Sequence, residues 1–264
     1  ELQISCFWLF LGIYLAALLG NGFIIITIAC DQHLHTPMYF FLLNLSLLDL
    51  GSISATVPKS MADSLWGTRE ISYLGCAAQL FFFLFLMVGE YYILTIIDYD
   101  HYVAIYKPLH YRTFLGSRAR VHMAAAAWVS CFLNSLLHTT STFSLTLCQG
   151  NTVNKFFCEI PQVFKVSCSH SYLREVWLLV VSVCVAFGCS VFIVVSYVQI
   201  FRTVLRIPSE QGRHKAFSTC LPHLAVVSLF ITTAMFAYLR PPSTYSLSLD
   251  LVAAGISSER EMNQ

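Results

Sequence analysis

The chain has 264 residues, of which 57% are hydrophobic and only 11% charged, with a formal net charge of +1. A soluble domain carries roughly 25% charged residues, so this composition would expose large apolar patches to water and excludes an ordinary soluble protein. Mean hydropathy is +0.68, and the near-zero net charge supplies no global field for nucleic acid or another polyion.

Six apolar runs follow one another, at about 5–29, 39–61, 77–98, 123–143, 176–201 and 216–239. Each is long enough to cross about 30 Å of hydrocarbon as a helix. The expected fold is therefore all-α, a transmembrane helix bundle. The first run is too long for a signal h-region and is expected to span the membrane. It carries Asn21; the second carries Asp49 and the third Glu90. At about 1.5 Å per residue these three fall at similar depth, near mid-membrane. Polar groups at one level on three helices are expected to face one another. Two carboxylates there would share a proton or hold a cation, unless the group is a hydrogen-bonded knot that only fixes packing.

The third run ends in Asp98, Asp100 and His101, expected on physical grounds to be a solvated helix end. If Glu90 faces inward, helical periodicity puts Met87, Phe83 and Leu80 on or near the same face. The fifth run adds Val181 and Val185, and the sixth adds Ile231, Ala234 and Tyr238. Such a lining, apolar with a few hydrogen-bonding groups, suits a small ligand.

Eight of the 15 basic residues lie in two loops: Lys107, Arg112, Arg118 and Arg120 in one, Arg202, Arg206, Arg213 and Lys215 in the other. The positive-inside rule makes both loops cytoplasmic, with the amino terminus and the 144–175 connection outside. That connection holds Cys148, Cys158 and Cys168, and Cys76 begins the third run on the same side. Four cysteines on the oxidising side predict two disulfides, with three pairings open. The other six are expected to pack as small hydrophobes. Asn44-Leu45-Ser46 matches a glycosylation sequon inside an apolar run and is read as a chance match. No metal-binding His/Cys pattern, phosphate loop or nucleophile elbow is present, and no inverted repeat suggests a transporter. An enzyme is not expected.

Several segments resemble the olfactory receptors of the rhodopsin-like G-protein-coupled receptor class. Gly20-Asn21, Leu34 to Leu42 (LHTPMYFFL), Asn44-Leu45-Ser46 with Asp49, Tyr99 to Ile105 (YDHYVAI), Pro108 to Tyr111 (PLHY), Ser196-Tyr197 with Ile200, and Lys215 to Cys220 (KAFSTC) with His223-Leu224 occur in that family's order and spacing. The resemblance implies a seven-helix receptor domain over 1–252, resident in the plasma membrane as a multi-pass protein with its amino terminus outside. Its partners would be a volatile odorant, the lipid bilayer and a heterotrimeric G protein of the olfactory stimulatory type. The coupling residues would be Asp100, His101, Tyr102, Tyr197 and Lys215. A sodium ion would sit at Asp49 and Glu90 near Asn21, with no other cofactor, and the disulfides would be Cys76–Cys158 and Cys148–Cys168.

Three departures from the family modify this expectation. His101 replaces the arginine of YDRY, so a permanently charged, forked donor becomes a group that is mostly neutral near pH 7. That change predicts weakened coupling. Tyr106 replaces a cysteine. Residues 253–264 form a polar tail unlike the family's seventh helix, so the chain is expected to lack a normal seventh span. The alternative function is then a truncated, coupling-deficient receptor fragment that acts at most as a partner of intact receptors.

Overall fold

The computed structural model describes residues 2–31, 36–66, 73–146 and 169–239. Among them are six helices long and apolar enough to cross a membrane, and no strand. They are α1 (Leu2–Cys30), α2 (Pro37–Trp66), α3 (Tyr73–Tyr106), α4 (Ser117–Thr146), α5 (Ser169–Leu205) and α6 (Glu210–Leu239). Only a helix satisfies every backbone group within its own segment in hydrocarbon, so the apolar runs become helices. Each helix extends past its run because the interfacial turns on either side are polar yet continue the same backbone.

Several hydroxyls inside the spans are satisfied the same way. Thr27 donates to the Phe23 carbonyl, Thr56 to Ser52, Thr95 to Tyr91 and Ser135 to Cys131, each one turn back at 2.7–2.9 Å. This back-bonding lets a polar side chain sit in lipid without an orphan donor. Pro58 in α2 and Pro222 in α6 each remove one helical donor.

The chain divides into two compact units, Glu1–Pro208 and Ser209–Gln264, and α6 belongs to the second. Within the first unit, α1 packs on α2, α2 on α3, and α3 on both α4 and α5. The core joins Phe41 and Leu48 of α2, Leu86, Ile93, Ile97 and Val103 of α3, and Ala124 and Ala127 of α4. Leu115, from the turn between α3 and α4, completes it.

Helices in lipid associate through close packing at small residues rather than through a hydrophobic drive. The α2–α3 seam does this reciprocally. A Cβ on Gly51 of α2 would lie 2.7 Å from Leu86 Cδ2 of α3. A Cβ on Gly89 of α3 would lie 3.0 Å from Leu48 Cδ2 of α2 and 3.6 Å from Cys131 Sγ of α4. Each glycine is the hole for the other helix's leucine. Gly51→Ala meets only a flexible side-chain tip, whereas Leu48 and Cys131 are both fully buried. Gly89→Val is therefore expected to lower unfolding stability by about 1–3 kcal/mol, measured by thermal unfolding in detergent, with Gly51→Ala the milder of the two.

Candidate functional site

The middle of α3 is where polar chemistry meets the core. Ser52 of α2 donates its hydroxyl to Glu90 Oε1 of α3. Asp49 lies one turn before Ser52 on α2, within electrostatic reach of Glu90. Both acids are half-buried. Asn21 is half-buried on α1 and donates to the Ala17 carbonyl of its own helix at 3.2 Å. Two carboxylates and a hydroxyl are hard oxygen donors of the kind alkali and alkaline-earth cations prefer. Among the described residues no cluster of three His, Cys, Asp or Glu side chains forms.

The next residue, Tyr91, turns the other way. Its hydroxyl lies 2.7 Å from Ser190 Oγ and donates to the Ala186 carbonyl at 2.8 Å, both on α5. On the far side of the core, Trp128 of α4 donates its indole N–H to Asn44 Oδ1 of α2 at 2.9 Å, and Asn44 donates to the Phe40 carbonyl at 2.8 Å. The sequon residue is thus part of the bundle interior. A fourth link joins α4 to α5: the Ser182 hydroxyl donates to Asn134 Oδ1 at 3.1 Å and lies 2.9 Å from His138 Nε2.

The residues expected to line a pocket separate into two environments. Leu80 is 3% exposed and packs with Cys76, Leu84 and Phe143, into the α3–α4 core. Phe83 is 43% exposed, and Met87 is half-buried. Val181 and Val185 of α5 are exposed on their helix. Ile231 and Ala234 lie on α6, in the separate unit, and the Tyr238 side chain lies outside the described residues. Cys76 is disulfide-bonded. Its partner lies outside the described residues, as do Cys148, Cys158, Cys168 and the 253–264 tail.

The solvated end expected at Asp98, Asp100 and His101 is corrected by their burial: they are 0%, 2% and 6% exposed. The physical reason is that α3 runs eight residues past Asp98 to Tyr106. The chain then turns through Pro108–His110 and one helical turn at Tyr111–Phe114, which seats Leu115 in the core and covers the end of α3. Among the described residues neither Asp98 oxygen has a hydrogen bond, although Ser196 of α5 lies beside it. Asp100 Oδ1 accepts the Tyr111 hydroxyl at 2.8 Å. Burial first, and the Asp100 carboxylate second, push the Tyr111 phenol above its usual range. Nearby, Tyr102 stacks on Tyr106 with ring centroids 5.2 Å apart, Tyr197 is buried against Phe201, and Lys107 sits 5.5 Å from the Phe114 ring centroid. Lys215 is exposed on α6.

A bundle of apolar helices that buries its polar residues at helix–helix seams has the make-up of a multi-pass membrane protein. The chain belongs to the olfactory receptor family, whose profile matches residues 10–241. It is 48% identical to human olfactory receptor 14J1 over 96% of this chain and 78% of that protein. It is likewise 48% identical to human olfactory receptor 14I1, over 96% of this chain and 82% of that one. Human olfactory receptor 14A16 is 47% identical over 92% of this chain and 79% of its own length. These relatives are receptors, and the chain is not an enzyme.

Ser52, Tyr91, Ser190, Trp128, His138 and Asn134 were not singled out from sequence. Each is a polar-capable residue within an apolar run, and that position is the available signal. Asn44→Leu strands the Trp128 indole N–H in the bundle and is expected to cost about 1–3 kcal/mol. Trp128→Phe added to Asn44→Leu should recover part of that loss, read from melting temperatures of the three variants in one detergent.

Proposed function

We propose that the chain is an odorant receptor that binds small volatile ligands in the half of the bundle away from the basic loops and signals through a stimulatory heterotrimeric G protein. Membership of the olfactory receptor family carries this reading. The chain then resides in the plasma membrane with its amino terminus outside, the basic loops facing the cytosol. In the first unit the ligand surface comprises Phe83 and Met87 of α3 and Val181 and Val185 of α5. These are apolar side chains not committed to the α3–α4 core, which suits a ligand held by shape and burial. A contact that favours the active arrangement shifts an equilibrium that exists without ligand.

Asp49 and Glu90, with the Ser52 hydroxyl, are the groups that would hold a sodium ion or share a proton. A bound cation would neutralise two like charges that otherwise repel in a medium of low dielectric. Cys76–Cys158 and Cys148–Cys168 are the disulfides this reading assigns. A second reading, weakened coupling, is favoured by His101. A buried imidazole replaces the forked cation that the family carries there.

Expression in cells with a cyclic-nucleotide reporter, screened against volatile compounds, tests the main reading. Met87→Trp should shift the half-maximal concentration of a responding odorant by about tenfold or more, or about 1.4 kcal/mol, at unchanged surface level. Responses unaltered by both Met87→Trp and Val185→Trp would refute the assigned surface. His101→Arg should raise the maximal response at equal surface level, and an unchanged maximum would refute the coupling reading.

A further inference from the structure

The apolar packing of α5 begins only at Ile193. From there Ile193, Ser196, Tyr197, Ile200 and Val204 are buried at helical spacing, as one stripe. Among the described side chains of α5 before Ile193 none is buried. What meets the neighbouring helices there is polar. Ser190 and the Ala186 carbonyl meet Tyr91 of α3, and Ser182 meets Asn134 and His138 of α4. Residues 182, 186 and 190 stand one turn apart on one face.

The outer part of α4 supplies the other wall. His138 is buried. Its neighbour Thr139 has a buried hydroxyl with no hydrogen-bond partner among the described residues. Ser135 and Thr140 of the same helix donate to the carbonyl four residues back at 2.7 Å, a bond that Thr139 does not make. Thr139 lies on the stripe that runs through Cys131, Ser135 and Phe143. Cys131 Sγ would stand 3.6 Å from a Cβ on Gly89 of α3, and Phe143 shares a buried cluster with Leu80 and Leu84 of α3. The Thr139 hydroxyl, between them, stands toward α3, while the adjacent imidazole meets α5. A buried hydroxyl without a partner is costly. The corner of α3, α4 and α5 thus holds hydrogen-bonding capacity that the fold leaves unused.

Val181 and Val185 of the assigned ligand surface flank Ser182 on α5, Val185 one turn further on. We propose that Thr139, His138 and Ser182 form a polar subsite of that surface, which takes the oxygen of a small, otherwise apolar alcohol, aldehyde or ketone. The proposal rests on the odorant-receptor reading and names its ligand class. Thr139 donates to the ligand oxygen. The Ser182 hydroxyl and the His138 ring, each able to donate or accept, complete its hydrogen bonds. Asn134, His138, Thr139 and Ser182 carry no fixed charge, so the subsite offers no counter-ion to a carboxylate or ammonium group.

The test uses the full chain in lipid nanodiscs, read by thermal unfolding, and in cells with a cyclic-nucleotide reporter. The probes are straight-chain and cyclic alcohols, aldehydes and ketones, each paired with the hydrocarbon of the same skeleton. In nanodiscs at least one oxygenate should raise the melting temperature, and its hydrocarbon should need about tenfold more for the same rise. Thr139→Val keeps the shape and removes the hydroxyl. It should raise the oxygenate's half-maximal concentration about tenfold in both assays. It should not lower the melting temperature of the unliganded chain, because nothing in the fold bonds that hydroxyl. Ser182→Ala should weaken the same oxygenate and carries the comparison if Thr139→Val does not fold. The proposal is overturned if oxygenate and hydrocarbon act at equal concentrations, if no probe shifts the melting temperature, or if both substitutions leave the half-maximal concentration unchanged. A melting temperature lowered by Thr139→Val with the ligand response intact would make a buried water the partner of that hydroxyl and would equally overturn it. Failure of the receptor reading is distinguishable: the reporter would stay silent while the oxygenate's melting shift, and its loss in Thr139→Val, persisted.

Discussion

Three consecutive residues at the middle of α3 seat three neighbouring helices of the first unit. Gly89 has no side chain, and its bare backbone lets Leu48 of α2 and Cys131 of α4 close on it. Glu90 takes the Ser52 hydroxyl from α2. Tyr91 reaches Ser190 and the Ala186 carbonyl on α5. Because consecutive helical residues are about 100° apart, one turn of α3 addresses three neighbours. Apolar packing between helices in lipid is weakly specific, since lipid tails compete for the same surfaces. Directional polar contacts at the seams are what set one arrangement above others. The assigned ligand residues Phe83 and Met87 stand on the same helix one to two turns away, so that seating also places them.

A second set of contacts governs the end of α3 that carries Asp100. The turn, anchored by Leu115 in the core and Tyr111 on the carboxylate, covers Asp100, which would be solvated on an isolated helix. At position 101 this chain has a buried imidazole in place of the family's arginine.

Much of this was legible in the amino-acid order. Six hydrocarbon-length runs predict six spanning helices, because in lipid the backbone has few alternatives. Asp49 and Glu90 stand out as acids within apolar runs, and both are half-buried in the first unit, Glu90 against Ser52. What was not legible depends on rotation and on tertiary covering. Leu80 and Phe83, three residues apart, share a nominal face, yet one enters the α3–α4 core and the other does not. A helix apolar on all sides gives periodicity little to grip. The burial of Asp98 beside α5 and of Asp100 under the turn at Tyr111 depends on tertiary packing, which no local pattern in α3 announces. Asn44 read as a chance sequon, but the reason it is there, a bond from an indole 84 residues away, became visible only when α4 was placed.

If the seating of α3 governs the bundle, the Ser52–Glu90 contact must have an interaction energy of its own. The most direct measurement is a double-substitution cycle on unfolding in nanodiscs, using Ser52→Ala, Glu90→Gln and the pair. The account predicts non-additivity of about 0.5–3 kcal/mol, with the pair less damaging than the sum of its members. Simple additivity would mean that the two helices are held by apolar packing alone and would contradict the central role assigned to the middle of α3.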